Sequence, residues 1–591
     1  MKKTHTCGEL RAADIGSRVT MMGWVHRRRA HGGLIFVDVR DRLGLTQLVF
    51  NPEESRTAHA AAEELRPEFV IAASGRVEAR PDGTVNTNLA TGAVEVVVDN
   101  LVVLNAAKTP PFEVNQDGEV DENLRLKYRY LDLRRERMRD IIVARHRVTR
   151  AVRDYLDRRN FVEIETPILV NRTPGGAREF LVPSRLNPGA FYALPQSPQQ
   201  YKQLLMVGGM ERYYQVARCF RDEDPRADRA PEFTQIDIEM SFIDQEDILE
   251  LFEGLAIDIV ETVAPEKRFL VRPFPRMSYQ HAMDTYGTDK PDLRFGLEIV
   301  DLTDIVGSGF QVFDAARANG GQIRAIVAPG CAGYTRREID DLTSFARARG
   351  AKGLATLAVT GEGIRGPIAK FFDHESLAAI AAQCEASAGD LILLVADQPM
   401  IVATTLGDLR NEMGRRLNLA DPNILAFCWV LDMPAFEYDE AERTYVAKHH
   451  QFTAPLDEDL DMLETNPAVV RAKQYDCVCN GFELAGGSIR IHRRDVQERI
   501  FRVIGLSDER ARGLFGHLLE AFDYGTPPHG GIASGVDRWM MILSNAASLR
   551  ETFAFPKTQS GLEPLTGAPS AISERELRDL HISSLVPAPR A

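Results

Sequence analysis

Apolar and polar positions alternate along residues 233–242. Ile236, Ile238, Met240 and Phe242 fall in one row, with Thr234 its polar member, and Phe233, Gln235, Asp237, Glu239 and Ser241 fall in the other. A period of two predicts a strand whose first row faces a core. The second row predicts a cavity, since carboxylates and amides set over a packed sheet are costly unless a polar partner meets them. The run YYQVARCF from Tyr213 predicts a second strand. Between the two lies a charged loop with Arg221, Asp222, Glu223, Asp224, Arg226, Asp228 and Arg229. On pattern alone that loop reads as a solvated hairpin tip.

Elsewhere the pattern changes several times. Residues 1–107 hold the strand signals VTMMGWVHRR, GLIFVDVRD, LTQLVF, FVIAASGRVEAR and AVEVVVDNLVVL, separated by Gly, Pro and Asp turns. Such a set suits an oligonucleotide-binding barrel, the OB-fold. Alternation places Phe36 and Asp38 opposite Ile35, Val37 and Val39, close to Arg27, Arg28 and Arg29. An aromatic there either joins the core or stacks on a base, and the pattern leaves both open. Residues 108–140 open on Lys-Thr-Pro-Pro-Phe and read as a hinge. The stretch IIVARHRVTRAVRDYLDRRN, apolar at 141, 142, 148, 152, 155 and 156, predicts an amphipathic helix that opens a segment over 141–284. Residues 285–420 alternate helix and strand on their own, as in GQIRAIVAP, REIDDLTSFARARG, GLATLAVT and GDLILLVAD, and predict an inserted α+β domain. The interrupted pattern resumes over 421–565, and 566–591 form a polar tail. The fold class expected is therefore multidomain α+β.

Composition narrows the setting. A chain of 591 residues, 44% of them hydrophobic, suits about three or four domains with sizeable cores. No long uncharged apolar run occurs, so no membrane helix is expected. The start, MKKTHTCGEL, has no apolar stretch behind its lysines, which argues against a secretory signal and for a cytoplasmic location. The 7 cysteines are scattered without a C-x-x-C pair, which points to reduced thiols. A net charge of −14 excludes a generally basic nucleic-acid binder but leaves room for local patches. Arg27–Arg29 form one, and the arginine-dense run from Arg125 to Arg159 forms another.

Several motifs resemble one family. Phe220-Arg221-Asp222-Glu223 resembles the second signature motif of class II aminoacyl-tRNA synthetases. FVEIETPIL, centred on Pro167, resembles the first, and PPHGGIASGVDRWMMIL at 527–543 resembles the third. GWVHRRR followed by GGLIFVDVRD resembles the anticodon-binding domain of aspartyl-tRNA synthetases, and 285–420 looks like the insertion of their bacterial type. The likeness runs from residue 4 to about 565.

That resemblance implies an antiparallel catalytic sheet flanked by helices, a homodimer built on the first motif, and an ATP- and Mg²⁺-dependent ligation of L-aspartate to tRNA(Asp). Arg221, Glu223 and Arg538 would carry catalysis, with Arg221 on the α-phosphate. Asp222, Ala230, Phe233, Glu483, Gly535, Val536 and Asp537 would complete the ATP contacts, a motif phenylalanine stacking on adenine. Asp476 and Glu483 would hold Mg²⁺, which takes hard oxygen ligands. Gly175, Gln199, Lys202, Arg221, Asp237, His449 and Arg490 would surround aspartate, with Lys202 and Arg490 on its side-chain carboxylate. A guanidinium suits that role because it can hold a carboxylate through two parallel hydrogen bonds. In the predicted strand GSIRIH, Ser488, Arg490 and His492 share one face. His449 and His450, adjacent on a strand, would face opposite ways and so not share a metal.

In the barrel, the resemblance gives anticodon reading to Arg29, Phe36, Gln47 and Glu95, with Phe36 on the middle base. His31 and Gly83 resemble the residues of enzymes that also accept tRNA(Asn). The chain departs from the family pattern at Gly175, where a glutamate is usual, at Ala230, usually glutamine, and at Ser534, usually phenylalanine. Other readings are a strictly discriminating aspartyl enzyme, an asparaginyl or lysyl enzyme, a paralogue with altered substrate binding, and a non-catalytic tRNA-binding protein. The pair Lys202 and Arg490 disfavours the asparaginyl and lysyl enzymes, because paired cations suit an acidic side chain.

Overall fold

The computed structural model describes residues 2–116, 118–172, 178–226, 228–307 and 309–585. It divides into two compact units, one of residues 1–143 with 553–570, the other of 144–552 with 571–591. Among the described residues no helix is long and apolar enough to cross a membrane.

The first unit is built on a closed barrel of β1 (Arg18–His31), β2 (Leu34–Asp41), β3 (Gly44–Phe50), β4 (Val70–Ala79) and β5 (Val94–Asn105), in the order β1-β2-β3-β5-β4. The strand alternation is the cause of the closure: Ile35, Val37 and Val39 of β2 enter the barrel core with Val19, Met21 and Val25 of β1. Helix α1 (Arg56–Glu63) lends Ala58 and Ala62 to that core, and Ser55 caps its N-terminus by accepting the Ala58 N–H. Hinge residue Arg129 is buried and donates to the backbone carbonyls of Phe553 and Ala554, which is how 553–570 joins this unit.

The second unit carries an eight-stranded sheet. Its strands are β6 (Val162–Glu163), β7 (Arg212–Phe220), β8 (Glu232–Ser241), β9 (Arg276–Ser278), β10 (Phe427–Pro434), β11 (Arg471–Cys479), β12 (Phe482–Ile489) and β13 (His529–Gly535), ordered β9-β10-β11-β12-β13-β8-β7-β6. Every pairing is antiparallel except the two outermost, β9 with β10 and β6 with β7. Helices α2 (Glu136–Asp157), α3 (Gln199–Val207), α4 (Gln245–Val263) and α7 (Val536–Leu543) lie in the same sequence stretch, and α4 buries Ile248, Phe252, Leu255 and Ile259. Val148, Val152 and Leu156 form the buried stripe of α2, as its spacing predicts.

A separate five-stranded sheet lies within residues 300–397, its two faces covered by distinct apolar clusters around Leu393 and Phe313. It is flanked by α5 (Tyr279–Tyr286) before it and α6 (Pro399–Arg416) after it.

The central hairpin departs from expectation in two ways. Ile236, Ile238 and Met240 are buried, but Phe242 is not part of that row. Strand β8 stops at Ser241, Phe242 takes the left-handed region at φ 59, and its ring turns out to 69% exposure. The acidic row, expected to face a cavity, is sealed: Asp237 and Glu239 are wholly inaccessible.

Candidate active site

What seals Asp237 and Glu239 is a pair of cations from elsewhere in the chain. Lys202, on the inner side of α3, places Nζ 2.6 Å from Asp237 Oδ1 and 3.3 Å from Glu239 Oε2. Arg490, just past β12, donates Nε to Glu239 Oε1 at 2.9 Å and Nη2 to Glu239 Oε2 at 3.0 Å. Two carboxylates and two cations are thus packed together in a buried box with no net charge. Burial alone would raise the Glu239 carboxyl, but Arg490 and Lys202 outweigh it and hold it at about 2. Asp237 moves the other way: burial dominates over Lys202, and its pKa is raised. Its Oδ2 has no hydrogen-bond partner among the described residues, so an acceptor is left beside Lys202.

The bidentate edge of Arg490 is therefore held by a protein carboxylate. Its remaining nitrogen, Nη1, reaches Ser488 Oγ at 2.5 Å and lies 2.9 Å from His450 Nε2. Ser488 and Arg490 do share a face, although β12 ends at Ile489 and Arg490 continues only as a single bridge to Thr453. The two histidines do not face opposite ways. The preceding strand ends at Ala447, and beyond it the rings of His449 and His450 tilt together with centroids 4.4 Å apart. His449 is in touch with solvent yet closely surrounded by protein. This desolvation, followed by the charge of Arg490, depresses its pKa to about 3. His450 is held low by burial, by His449 and by Arg490. Gln199, at the start of α3, donates to Gln203 Oε1 at 3.1 Å, and Gln203 in turn lies 3.1 Å from His529 Nε2. Gly175 lies outside the described residues.

The hairpin loop carries the next group. Arg221 stands over Phe233, its guanidinium carbon 4.9 Å from the ring centroid. Its Nε is buried without a hydrogen-bond partner among the described residues. Glu223 accepts from Arg229 Nη1 of the same loop at 3.2 Å. The Asp222 side chain is exposed, with its backbone N–H bound to the Arg178 carbonyl, and Ala230 is half-buried and offers no polar side-chain atom.

At β13 and α7, Arg538 folds back over Gly535 and donates Nη1 to the Glu483 carbonyl. Val536 is fully buried. The Asp537 carboxylate is taken up inside the protein: Arg145 of α2 donates to Oδ1, and the Thr234 N–H donates to Oδ2 at 3.0 Å. It ties α7 to β8 rather than offering a free acceptor. Ser534, a departure from the family pattern, has a definite task. Its Oγ accepts the buried Trp539 Nε1–H at 2.9 Å and donates to the Leu484 carbonyl at 2.9 Å.

Asp476 and Glu483 come together through a bulge. Asp476 pairs with Gly486, but Val478 pairs with Glu483, so Leu484 is the extra residue. One added residue turns Glu483 onto the face of Asp476. Gly486 then leaves the space where both converge: a Cβ there would meet Asp476 Oδ1 at 2.9 Å and Glu483 Oε1 at 3.3 Å. Burial and the neighbouring Glu483 raise Asp476 well above its usual range, whereas Lys290 and Arg538 hold Glu483 low against its own burial. Crowded carboxylates of this kind favour a divalent cation. The described residues contain no cluster of three or more acidic, His or Cys ligands, so phosphate or water oxygens would have to complete the shell.

In the barrel unit, Arg29, Asp38, Gln47 and Glu95 form one polar ladder across four strands. Arg29 Nη2 bonds Asp38 Oδ1 at 2.9 Å and Gln47 Oε1 at 3.2 Å, and Gln47 Nε2 bonds Glu95 Oε2 at 2.8 Å. Phe36 shares the outer face of β2 with Asp38 and lies outside the barrel core, so the core reading of this aromatic does not hold. His31 is exposed at the end of β1, beside Gly32 and Gly33 at φ 60 and 82, a turn that needs glycine. Gly83 is exposed at φ 80 in the turn from Pro81 to Thr84.

Sequence reasoning missed the partners more than the players. Glu239 was visible only as one member of the acidic row, His450 only as a neighbour of His449, and Lys290 not at all.

Comparison with known proteins follows the same lines. A family described as tRNA synthetases class II (D, K and N) matches residues 121–559, and an OB-fold nucleic acid binding domain matches 19–104. The chain is 57% identical over 586 residues to the aspartate–tRNA(Asp/Asn) ligase of Moorella thermoacetica, covering 99% of this chain and 97% of that one. It is 55% identical over 589 residues to the aspartate–tRNA ligase of Geobacillus kaustophilus, covering 99% and 100%. Asparaginyl-tRNA synthetase from Pyrococcus horikoshii, solved with asparaginyl-adenylate, shares the fold at TM-score 0.60 and 18% identity, over 95% of this chain and 99% of that one.

Proposed function

The chain belongs to the class II tRNA synthetases of the aspartate, lysine and asparagine group, and we propose that it is an aspartate–tRNA ligase serving both tRNA(Asp) and tRNA(Asn). The observation that carries the substrate is the buried box. Lys202 and Arg490 set two cations beside Asp237 and Glu239, and Asp237 Oδ2 has no hydrogen-bond partner among the described residues. Aspartate brings a side-chain carboxylate for the cations and an ammonium for Asp237. A lysine side chain would meet like charge, and an asparagine side chain would leave cationic donors underused.

In the first step a carboxylate oxygen of aspartate attacks the ATP α-phosphorus, forming aspartyl-adenylate as the bond to pyrophosphate breaks. In the second, the terminal ribose hydroxyl of tRNA attacks the activated carbonyl and AMP leaves. No protein nucleophile enters. Arg221, on the Phe233 ring, and Arg538, over Gly535, would meet the phosphate charge that develops in the first step. Asp476 and Glu483 would hold Mg²⁺, which supplies charge neutralisation on the phosphates. Gln199, His449 and Ser488 complete the walls, and Glu239 keeps Arg490 in place.

The dimer expected of the family is supported by apolar exposure beside the sheet edge β6. Val162, Ile168 and Leu169 are each about half exposed in that stretch. A cytoplasmic setting is supported by the free, buried state of the seven cysteines. The polar ladder Arg29–Asp38–Gln47–Glu95, with Phe36 beside it, is the surface we assign to the anticodon.

Dual tRNA specificity rests on His31, exposed at the barrel rim, and on the Moorella relative, whereas the Geobacillus relative is named for aspartate–tRNA ligation without tRNA(Asn). Charging tRNA(Asp) and tRNA(Asn) transcripts side by side with labelled aspartate tests it. Comparable charging of both is expected. His31→Leu should lower kcat/KM for tRNA(Asn) by about tenfold, the scale of one lost polar contact, and that for tRNA(Asp) much less. Equal loss on both transcripts, or charging of tRNA(Asp) alone by the parent protein, would leave a strictly aspartyl enzyme.

A further inference from the structure

The metal corner has a cation of its own, delivered from outside the signature motifs. Lys290 Nζ lies 2.9 Å from Glu483 Oε2, on the carboxylate that also faces Asp476 across Gly486. Lys290 sits between α5 and the five-stranded sheet of residues 300–397, in a short segment that packs on the β11–β12 turn. A Cβ on Gly481 of that turn would meet Asp292 Cβ at 3.6 Å and the Lys290 carbonyl at 3.9 Å.

The segment is held from the other side by Arg410 of α6. This guanidinium is wholly buried and donates to the carbonyls of Asp292 at 2.7 Å, Phe295 at 2.6 Å and Gly296 at 3.0 Å. It is flanked by the Phe295 and Tyr286 rings, 4.4 Å and 5.0 Å from their centroids. The Lys290 backbone N–H is fixed on Thr288 Oγ1 at 3.2 Å. A buried arginine spending its donors on three carbonyls of one segment sets the backbone that carries Lys290, and the lysine side chain is what that backbone presents to the site.

We propose that Lys290 is the resident counter-cation of the Asp476–Glu483 corner: it holds Glu483 when no metal is bound and competes with a divalent cation for that carboxylate. The inference rests on the reading of Asp476 and Glu483 as the metal-holding pair. Its physical basis is simple. Two carboxylates facing each other in a crowded corner repel, and one ammonium on Glu483 lets both stay close. A divalent ion would have to displace that ammonium from Glu483 to take the carboxylate. The pair is about one-third exposed on each side, 38% for Lys290 and 32% for Glu483, so solvent screens it and the competition is modest in size.

The test is equilibrium binding of Mn²⁺ to the full chain without nucleotide, followed by the EPR signal of free Mn²⁺. Lys290→Met is expected to bind Mn²⁺ about fivefold more tightly than the parent, and Lys290→Arg to stay within twofold of it, because screened partly exposed pairs have effects of this order. In aspartate-dependent ATP–pyrophosphate exchange, the Mg²⁺ concentration giving half-maximal rate should fall in Lys290→Met by a similar factor. Unchanged or weaker Mn²⁺ binding by Lys290→Met overturns the role given to Lys290. Undiminished Mn²⁺ binding by both Asp476→Asn and Glu483→Gln overturns the metal reading of the corner, and the proposal with it.

Discussion

Arg490→Leu is expected to lower kcat/KM for aspartate in ATP–pyrophosphate exchange by about three orders of magnitude and to destabilise the fold by about 3 kcal/mol. The reasoning follows the buried box. Removing one partner of a buried ion pair leaves an uncompensated charge and costs about 3–5 kcal/mol. Here the stranded group is Glu239, which is wholly inaccessible and bonded to both Nε and Nη2 of Arg490. Lys202, 3.3 Å from the same carboxylate, offsets part of the loss in stability. It cannot restore the substrate contact, because the aspartate carboxylate would then meet Glu239 with a single lysine shared among three anions. The double variant Glu239→Gln with Arg490→Leu separates the two effects. It removes both charges together, so thermal stability should recover most of what Arg490→Leu lost, while aspartate activation stays low. If Arg490→Leu keeps kcat/KM within tenfold of the parent, carboxylate recognition lies with Lys202 alone. If the double variant recovers activity along with stability, Arg490 is a structural residue and the box is not the substrate pocket.

The hairpin shows how far local pattern reaches and where it stops. Alternation over β8 put Ile236 and Ile238 on a core face and marked Asp237 and Glu239 as polar residues needing partners. It could not name those partners, because Lys202 is 35 residues away and Arg490 is 251. A period of two describes one strand. The neighbours in a sheet ordered β9-β10-β11-β12-β13-β8-β7-β6 come from distant parts of the chain. The same limit explains the histidines. Placing His449 and His450 on opposite faces assumed a strand, and the strand ends two residues earlier, at Ala447. The bulge at Leu484 is a one-residue register change, invisible in a run such as CVCNGFELAGG, yet it decides that Glu483 and Asp476 share a face. Phe36 was undecidable from its own strand, because both faces of β2 carry apolar residues. The barrel resolved it by closing over Ile35, Val37 and Val39. Ser534 read as a departure until Trp539, one helical turn on, supplied the indole N–H it accepts.

Arg221→Ala is expected to reduce the rate of adenylate formation in a single turnover by about two to three orders of magnitude with almost no change in melting temperature. The contrast with Arg490 comes from what each guanidinium does in the absence of substrate. Arg490 is spent on Glu239, Ser488 and His450. Arg221 makes no ion pair among the described residues, rests on the Phe233 ring at 4.9 Å, and keeps Nε buried and unpartnered. A donor left unsatisfied in the folded protein gives the fold little and is available to an anion. Removing one preorganised donor from the site of developing charge costs about 2.7–4 kcal/mol in the transition state, which sets the size of the rate loss. Arg221→Lys should recover less than a tenth of the lost rate, since an ammonium is a point charge that neither matches two phosphate oxygens nor stacks on Phe233. Aspartate binding without ATP should be unaffected, because the carboxylate-holding cations Lys202 and Arg490 are intact. A rate loss under tenfold would remove Arg221 from the phosphate-stabilising role. A melting temperature that falls in step with the rate would assign Arg221 to holding the hairpin loop, and the charge stabilisation of the first step would then rest on Arg538.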